Sequence, residues 1–353
     1  MNSILYNRTG IQKSEDKNYV NLPEGYSSSL DIIETQKAIK SIKDFFESNL
    51  ANKLNLTRVS APLFVPQSTG VNDNLNGVEV PVHFKFRNGD QVEVLEIVQS
   101  LAKWKRIALK NYNVQPGYGI YADMNAIRPC EITDNTHSLY VDQWDWEKVI
   151  TKEQRTKEFL ISTVESIYGC LLETQEMLKN TYSGYSPVLK DNIHIKTSQE
   201  LEDLYPSLSP EQREKAFCRE HGALFLMEIG GVLNSGKPHD NRAPDYDDWS
   251  LNGDIIVWNP ILEDCLELSS MGIRVDSQSL VEQLRIQNEE ERLKLEYHSM
   301  LTSGLLPLTI GGGIGQSRIC MLLLQKAHIG EVQSSVWPES MIRACKNNGI
   351  NLL

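Results

Sequence analysis

Apolar residues recur along this chain at two periods, and the switches between them outline most of its elements. Ile32, Ile39, Ile42, Phe46, Leu50 and Leu54 stand at helical spacing behind Ser28 and Asp31, which suit a capped start, so the pattern predicts one long amphipathic helix. "LTRVSAPLFV" follows as a β-rich run broken at Pro62, and proline is tolerated only at a strand end, an edge or a bulge. That strand is expected to end near an edge or interface. "VEVPVHFKF" and "QVEVLEIVQS" largely alternate around Asn88-Gly89, the strongest short-range hairpin signal, so the sheet is expected to be at least partly antiparallel. "GIYADMNAIRP" and "HSLYVDQWDWEKV" make a second candidate pair around the polar loop Cys130 to Thr136, which would bring Arg128 and Gln143 together. Leu160, Val164, Ile167, Leu171 and Leu178 predict a helix from about Lys152 to Leu178.

Beyond it the pattern predicts a strand in "GALFLMEIGGVL", a polar loop "NSGKPHDNRAPDYDDWS", and strands in "LNGDIIVWNP" and "EDCLELSSMGIRV". A charged helix around Gln283 to Leu301 then leads to "TIGGGIGQSRICMLLL", a glycine-rich segment entering an apolar helix. No repeat or low-complexity linker interrupts this order. The expected organisation is a polar N-terminal extension at 1–27 and one domain over 28–353 that combines helices with an at least partly antiparallel sheet.

Composition narrows the class. The 353 residues, 40% of them hydrophobic, can bury a substantial core. A net charge of -12 with no cluster of lysine and arginine disfavours general attraction to nucleic acid or an anionic membrane. The polar start lacks a signal-peptide core and no segment carries some 18 uninterrupted apolar residues, so a cytoplasmic location is the default. Cysteines 130, 170, 218, 265, 320 and 345 stand far apart without a C-x-x-C pair, which predicts reduced, mostly buried thiols. The seven histidines show no zinc spacing.

Close backbone packing is enough to explain "GGGIG" by itself. It is no P-loop, since no Gly-Lys-Ser/Thr follows, and no G-x-G-x-x-G, since Arg318 stands where the last glycine would fall. What remains is G-x-G-x-G-x-x-R, which resembles motif 3 of the class II aminoacyl-tRNA synthetases, with Ser317 where that superfamily usually has an acidic residue. The long helix with "RVSAPLF" resembles motif 1, and "AIRPCEITDNTHSLYVDQWDWE" resembles motif 2. The three stand in the expected order. The longer strings "RAPDYDDWS", "NGDIIVWNPILEDCLELSSMGIRV", "SLAKWKR" and "DNLNG" are similar to the ammonia-dependent asparagine synthetases, the aspartate–ammonia ligases, and the likeness runs from residue 28 nearly to the C-terminus.

That resemblance implies the α+β class II catalytic-core fold with a central, mostly antiparallel sheet flanked by helices, a homodimer through the long helix and the Pro62 strand, and activation of aspartate by ATP as an acyl adenylate. A carboxylate needs this because oxide is too poor a leaving group for ammonia to displace. It implies Arg128 at the α-phosphate, Glu131 and His137 in the loop beside the nucleotide, and Arg318, Arg274, Gly313 and Gly315 at its other end. Mg²⁺ would take Asp254 and Glu267. Aspartate would be lined by Ser100, Lys105, Gln143, Asp145, Ser269 and Ser270, with Asp247 close by. Arg128, Lys105 and Asp73 form the expected catalytic set, Asp73 or alternatively Asp247 binding ammonium and accepting its proton. Lys103, Trp104 and Arg106 are expected at the surface or in packing, and Trp144, Trp146, Trp249 and Trp258 as walls of the site.

The expected substrates are L-aspartate, ammonia and ATP, with no nucleic acid or membrane partner. Free ammonia is the expected nitrogen source because the chain begins Met1-Asn2 and not with a nucleophilic cysteine. Two alternatives are a tRNA synthetase of the aspartyl, asparaginyl or lysyl type and a non-catalytic synthetase-like sensor. The first would need a tRNA-binding appendage for which little chain is left. The second is disfavoured by Arg128, Glu267 and Arg318 together.

Overall fold

In the computed structural model, residues 20–72, 75 and 79–353 are described. Eight strands make the central sheet: β1 (Leu56–Arg58), β5 (Gly119–Ile127), β6 (Tyr140–Val149), β7 (His194–Thr197), β8 (Ala223–Met227), β9 (Asp247–Asn259), β10 (Asp264–Arg274) and β11 (Thr309–Gly315). Their order is β1-β5-β6-β11-β10-β9-β8-β7. The pairs from β5 across to β8 are antiparallel, and only the outer pairs β1 with β5 and β7 with β8 are parallel. This is the expected mostly antiparallel α+β architecture. Three further strands, β2 (Phe64–Pro66), β3 (His83–Asn88) and β4 (Gln91–Ile97), form a separate sheet in the order β2-β4-β3.

Nine helices accompany the strands among the described residues: α1 (Ile32–Leu54), α2 (Ala102–Asn111), α3 (Lys157–Thr181), α4 (Ser198–Leu204), α5 (Pro210–His221), α6 (Ser277–Gln287), α7 (Glu296–Thr302), α8 (Gln316–Leu323) and α9 (Glu339–Asn347). Asp31 caps α1 by accepting from the Glu34 amide, and Asn55 ends it in the left-handed region at φ 57°. Ile39, Ile42, Phe46, Leu50 and Leu54 are buried on its inner face, whereas Ile32 is 51% exposed and leaves that stripe. One main core gathers these residues with Leu160, Val164, Ile167 and Leu171 of α3, Ile319 to Leu323 of α8, and the sheet.

Several expectations need correction. Pro62 separates β1 from β2, which belong to different sheets, and β1 is an edge strand. The hairpin closes as expected, with Asn88 opposite Gln91 and Gly89 at φ 61°, but it lies in the small sheet and not in the central one. The helix expected from Lys152 starts at Lys157, because Lys152–Gln154 form a separate 3-10 turn and Thr156 provides the cap. The helix expected from Gln283 to Leu301 is two: Asp276 caps α6, which ends at Asn288 in the left-handed region, and α7 starts afterwards. α2, α4, α5, α9 and β7 are short elements that periodicity did not single out. No helix among the described residues is long and apolar enough to cross a membrane.

Alternation along β6 turns Trp144 and Trp146 into the main core and Gln143, Asp145 and Glu147 to the other face. These tryptophans therefore support the sheet from beneath. Trp249 packs on Gly230, where an added Cβ would fall 2.7 Å from its ring, and Trp258 packs in a satellite cluster with Leu201, Phe217 and Cys218. None of the four walls the site. All six cysteines are free; Cys130 is exposed and Cys170, Cys218, Cys320 and Cys345 are buried.

Candidate active site

On the polar face of the sheet, a cavity of about 470 Å³ opens where the β5–β6 loop, β10, β11 and the first turn of α8 meet. Arg128, Glu131, His137 and Gln143 line it from the β5–β6 side, and Glu267, Ser270, Gly313, Gly315 and Arg318 from the other. Thus nine of the residues expected at the site converge there. Arg128 directly follows β5, and its amide donates to the Leu139 carbonyl (2.8 Å), which closes the loop into the returning strand. Its Nε is buried without a hydrogen-bond partner.

Asp134 organises the β5–β6 loop by accepting from the backbone amides of Thr136 (2.7 Å) and His137 (2.9 Å) and pairing with the His137 ring (2.9 Å). Burial works to raise this carboxyl, but His137 and the two amides outweigh it and hold it down at about 2. On the opposite wall, Arg318 donates to the Glu267 carbonyl (2.9 Å) and the Thr136 carbonyl (3.4 Å), tying β10 to the loop. Ser317 donates its amide to Asp142 Oδ1 (3.1 Å), so the acidic group at this helix start comes from β6.

The glycines of β11 make room chiefly for protein. A Cβ at Gly311 would fall 2.7 Å from both Glu147 Cδ and Arg274 Nη2, and one at Gly313 would fall 2.7 Å from Gln143 Cδ. One at Gly312 would meet Ser270 O at 2.7 Å. Gly315 is different, its nearest neighbour being Arg318 Cβ at 3.4 Å, an ordinary contact.

Past Gln143 the same face of β6 continues into a buried network. Lys105 Nζ pairs with Asp145, donates to the Trp146 carbonyl (2.8 Å) and lies 3.6 Å from Glu147 Oε2. Arg274 binds Glu147 (2.7 Å) and Asp247 (2.5 Å). Burial would raise the Glu147 carboxyl, yet Arg274 and Lys105 hold it low; for Asp247, burial wins over Arg274 and the carboxyl is pushed up. Three carboxylates against two cations leave this network one negative charge in excess. Lys105, Asp145, Asp247 and Arg274 belong to it and do not line the nucleotide-sized cavity. Ser269, whose buried Oγ lacks a partner, and Ser100, which accepts from the Ala102 amide (3.2 Å), also lie off that lining. Asp73 lies outside the described residues.

Asp254, opposite Ser270 in the β9–β10 ladder, lies off the cavity lining as well. Its Oδ2 pairs with Arg242, and its Oδ1 is buried without a partner. Burial pushes this carboxyl up to about 7; Arg242 opposes the shift and Glu267 adds to it. No group of three or more histidine, cysteine or acidic side chains able to hold a metal occurs among the described residues. Two neighbouring carboxylates, one oxygen unpartnered, nonetheless suit Mg²⁺, which prefers one or two carboxylates and fills its octahedron with phosphate and water.

Arg242, Glu211, Tyr246 and Gln99 also line the cavity and were not singled out in the sequence. Arg242 had one available signal, a lone arginine among the aspartates of "HDNRAPDYDDWS". Lys103 and Arg106, expected at the surface or in packing, are buried and bonded: Lys103 pairs with Asp245 (2.9 Å), and Arg106 donates to the carbonyls of Val275 (2.8 Å) and Pro307 (2.9 Å).

Residues 33–349 match the aspartate–ammonia ligase family. An aspartate–ammonia ligase of Clostridium perfringens is 56% identical over 332 residues, 94% of this chain and 98% of that protein. One from Fusobacterium nucleatum is 57% identical over 328 residues, 93% of this chain and 99% of that protein. Among solved structures, the Entamoeba histolytica asparaginyl-tRNA synthetase in complex with asparaginyl-adenylate superposes with a TM-score of 0.60 at 11% identity, over 86% of this chain and 66% of that one. The Pyrococcus horikoshii asparaginyl-tRNA synthetase complexed with asparaginyl-adenylate gives 0.60 at 13% identity, over 86% and 70%. The fold is that of the class II synthetases, and the chain spans about two thirds of those two enzymes.

Proposed function

Since the chain belongs to the aspartate–ammonia ligase family, we propose that it makes L-asparagine from L-aspartate, ammonia and ATP through a β-aspartyl adenylate. A β-carboxylate oxygen of aspartate attacks the α-phosphorus, the bond to the bridging oxygen breaks, and pyrophosphate leaves with its electron pair. Ammonia then attacks the activated carbonyl, the carbon–oxygen bond to AMP breaks, and the surplus proton passes to a carboxylate, for which Asp73 is the candidate. Arg128 is assigned to the α-phosphate, where charge develops, with Glu131, His137, Gly313, Gly315 and Arg318 around the nucleotide. Held by Glu267 and Asp254, Mg²⁺ would neutralise phosphate charge.

The observation that carries this reading is the pairing of two sites on one sheet face. An arginine-bearing cavity adjoins a buried network that lacks one positive charge, a deficit that the α-ammonium of aspartate would fill. Lys105 and Arg274, with Gln143, Asp145, Asp247, Ser100, Ser269 and Ser270, are assigned to aspartate, so Arg274 acts there and not at the nucleotide. The polar extension at 1–27 and a single catalytic domain over 28–353 are part of the same proposal. So are a cytoplasmic enzyme with no nucleic-acid or membrane partner and a homodimer. Exposed Leu63, Phe64, Phe84 and Phe86 on and beside the small sheet, with Phe64 and Phe84 in edge-to-face contact (5.3 Å), supply an apolar patch near the Pro62 segment for that dimer.

The test is to incubate the protein with ATP, Mg²⁺, aspartate and ammonium and to quantify products. Asparagine and AMP are expected in equal amounts. ADP in place of AMP would rule out the adenylate, and a requirement for tRNA would rule out the ligase.

A further inference from the structure

The assignment of Asp254 and Glu267 to Mg²⁺ leaves Arg242 without a role, although it is the cation paired with Asp254. Its Nη2 pairs with Asp254 Oδ2 and its Nη1 donates to Ser270 Oγ (3.1 Å), with Glu267 close enough to act on it electrostatically. Its Nε is buried and has no hydrogen-bond partner, as is Asp254 Oδ1. Arg242 also faces the cavity shared with Arg128 and Arg318.

We propose that Arg242 is a displaceable counter-ion: it holds Asp254 when no nucleotide is bound and moves to the pyrophosphate end of ATP when Mg²⁺ takes its place. Asp254 is buried and needs a nearby cation, and the Arg242 guanidinium meets that need while the site is empty of metal; Glu267 is half-exposed and lies 4.0 Å from Arg318. Adding a divalent cation makes the arginine redundant there and repels it. The same event brings in the β- and γ-phosphates, whose oxygens match the guanidinium fork. When the bond between the α-phosphorus and the bridging oxygen breaks, the departing pyrophosphate keeps the electron pair and Arg242 donates hydrogen bonds to its oxygens. Arg242 itself neither gains nor loses a proton.

The local structure suits a side-chain swing on a pinned backbone. Directly after Arg242, the Ala243 carbonyl accepts from Trp249 Nε1 (3.3 Å). Asp245 is then buried against Lys103 (2.9 Å), Arg292 (3.2 Å) and His298 (2.9 Å). These contacts fix the chain on one side of Arg242 while Asn241 on the other is exposed.

The proposal rests on the metal assignment, and Mn²⁺ binding followed by electron paramagnetic resonance separates the two. With α,β-methylene-ATP bound, Glu267→Gln should weaken Mn²⁺ at least about tenfold; no weakening would overturn both the metal assignment and the exchange. Without nucleotide, Arg242→Gln should bind Mn²⁺ at least about tenfold more tightly than the unaltered protein, because the competing cation is gone. Its aspartate-dependent ATP–pyrophosphate exchange should fall about 100-fold. If the Glu267→Gln result holds but Arg242→Gln changes nucleotide-free Mn²⁺ affinity by less than twofold, or leaves exchange intact, the exchange of cations is wrong and the metal site stands. Should Arg242→Gln fail to fold, Arg242→Lys retains the charge but cannot bridge Asp254 and Ser270 together. It is expected to show tighter nucleotide-free Mn²⁺ binding too, and affinity equal to the unaltered protein would refute the proposal.

Discussion

Gly311→Ala places a methyl group into the Glu147–Arg274 ion pair, and the consequence can be worked from the geometry. The new Cβ would lie 2.7 Å from Glu147 Cδ and 2.7 Å from Arg274 Nη2. Glu147 has no space to retreat: it is fully buried, bound by Arg274 Nε (3.0 Å) and Nη2 (2.7 Å), with Lys105 3.6 Å away. Relief therefore requires opening the pair or moving β11, whose Gly311 is registered against Glu147 on β6 and Gly272 on β10. Opening a buried pair costs about 3–5 kcal/mol, and shifting a packed backbone about 1–3 kcal/mol. The gain from a stiffer unfolded chain offsets at most about 1 kcal/mol. A net loss of at least about 2 kcal/mol is expected if the pair opens, and of up to about 3 kcal/mol if the backbone shifts instead. Gly315→Ala is the control, since its Cβ meets Arg318 Cβ at 3.4 Å and φ is -67°, which alanine adopts freely; its stability should change by less than about 1 kcal/mol. Urea midpoints at one protein concentration measure both, and asparagine formation should collapse in Gly311→Ala. Equal midpoints for the two variants would show that the glycine is not there to clear the ion pair.

Three further outcomes follow from the site and its surroundings. Arg128→Ala should abolish asparagine formation while the urea midpoint moves by less than about 1 kcal/mol, because the side chain faces the cavity; near-normal turnover would remove it from the reaction. His328 is buried and burial lowers its ring from 6.5 to about 4, so the unfolded chain takes up the proton first as pH falls. Its stability is whole above about pH 6.5 and is lost towards pH 4, by up to about 3 kcal/mol. His328→Asn keeps an acceptor for the Gly330 amide and should flatten this slope in urea titrations at pH 7 and 4.5. Asp134→Ala should release the β5–β6 loop at a cost of about 1–2 kcal/mol, after discounting for a side chain 34% exposed, and should raise KM for ATP; an unchanged KM would separate that loop from the nucleotide.

Local patterning reached far in this chain because the relevant signals are short-range. Helical spacing and the Asp31 cap mark α1, Asn88-Gly89 marks the hairpin, and alternation marks β5, β6, β9 and β10. Motif 2 and motif 3 named Arg128 and Arg318, the likeness of the longer string around "ELSSMGIR" named Glu267, and the three do meet at one cavity. The short elements α4, α5 and β7 escaped because few residues carry their pattern, and the Gln283 to Leu301 helix was misjudged because its break depends on the backbone conformation of Asn288.

The sequence by itself therefore determined the class of fold, most of the longer strands and helices, and nine of the residues that line one cavity, since periodicity and motif spacing are properties of neighbouring residues. Only the tertiary structure decided which charges are partnered. Lys103 and Arg106 read as surface or packing residues until Asp245 and two distant carbonyls are seen to receive them. Gly311 and Gly313 show only a need for close packing until Glu147, Arg274 and Gln143 are found filling the space. Arg242 reads as a loop residue until β9 and β10 bring Asp254 and Ser270 beneath it. Whether a charge lies buried against another is settled by contacts between residues far apart in the chain, and spacing along the sequence does not encode that distance.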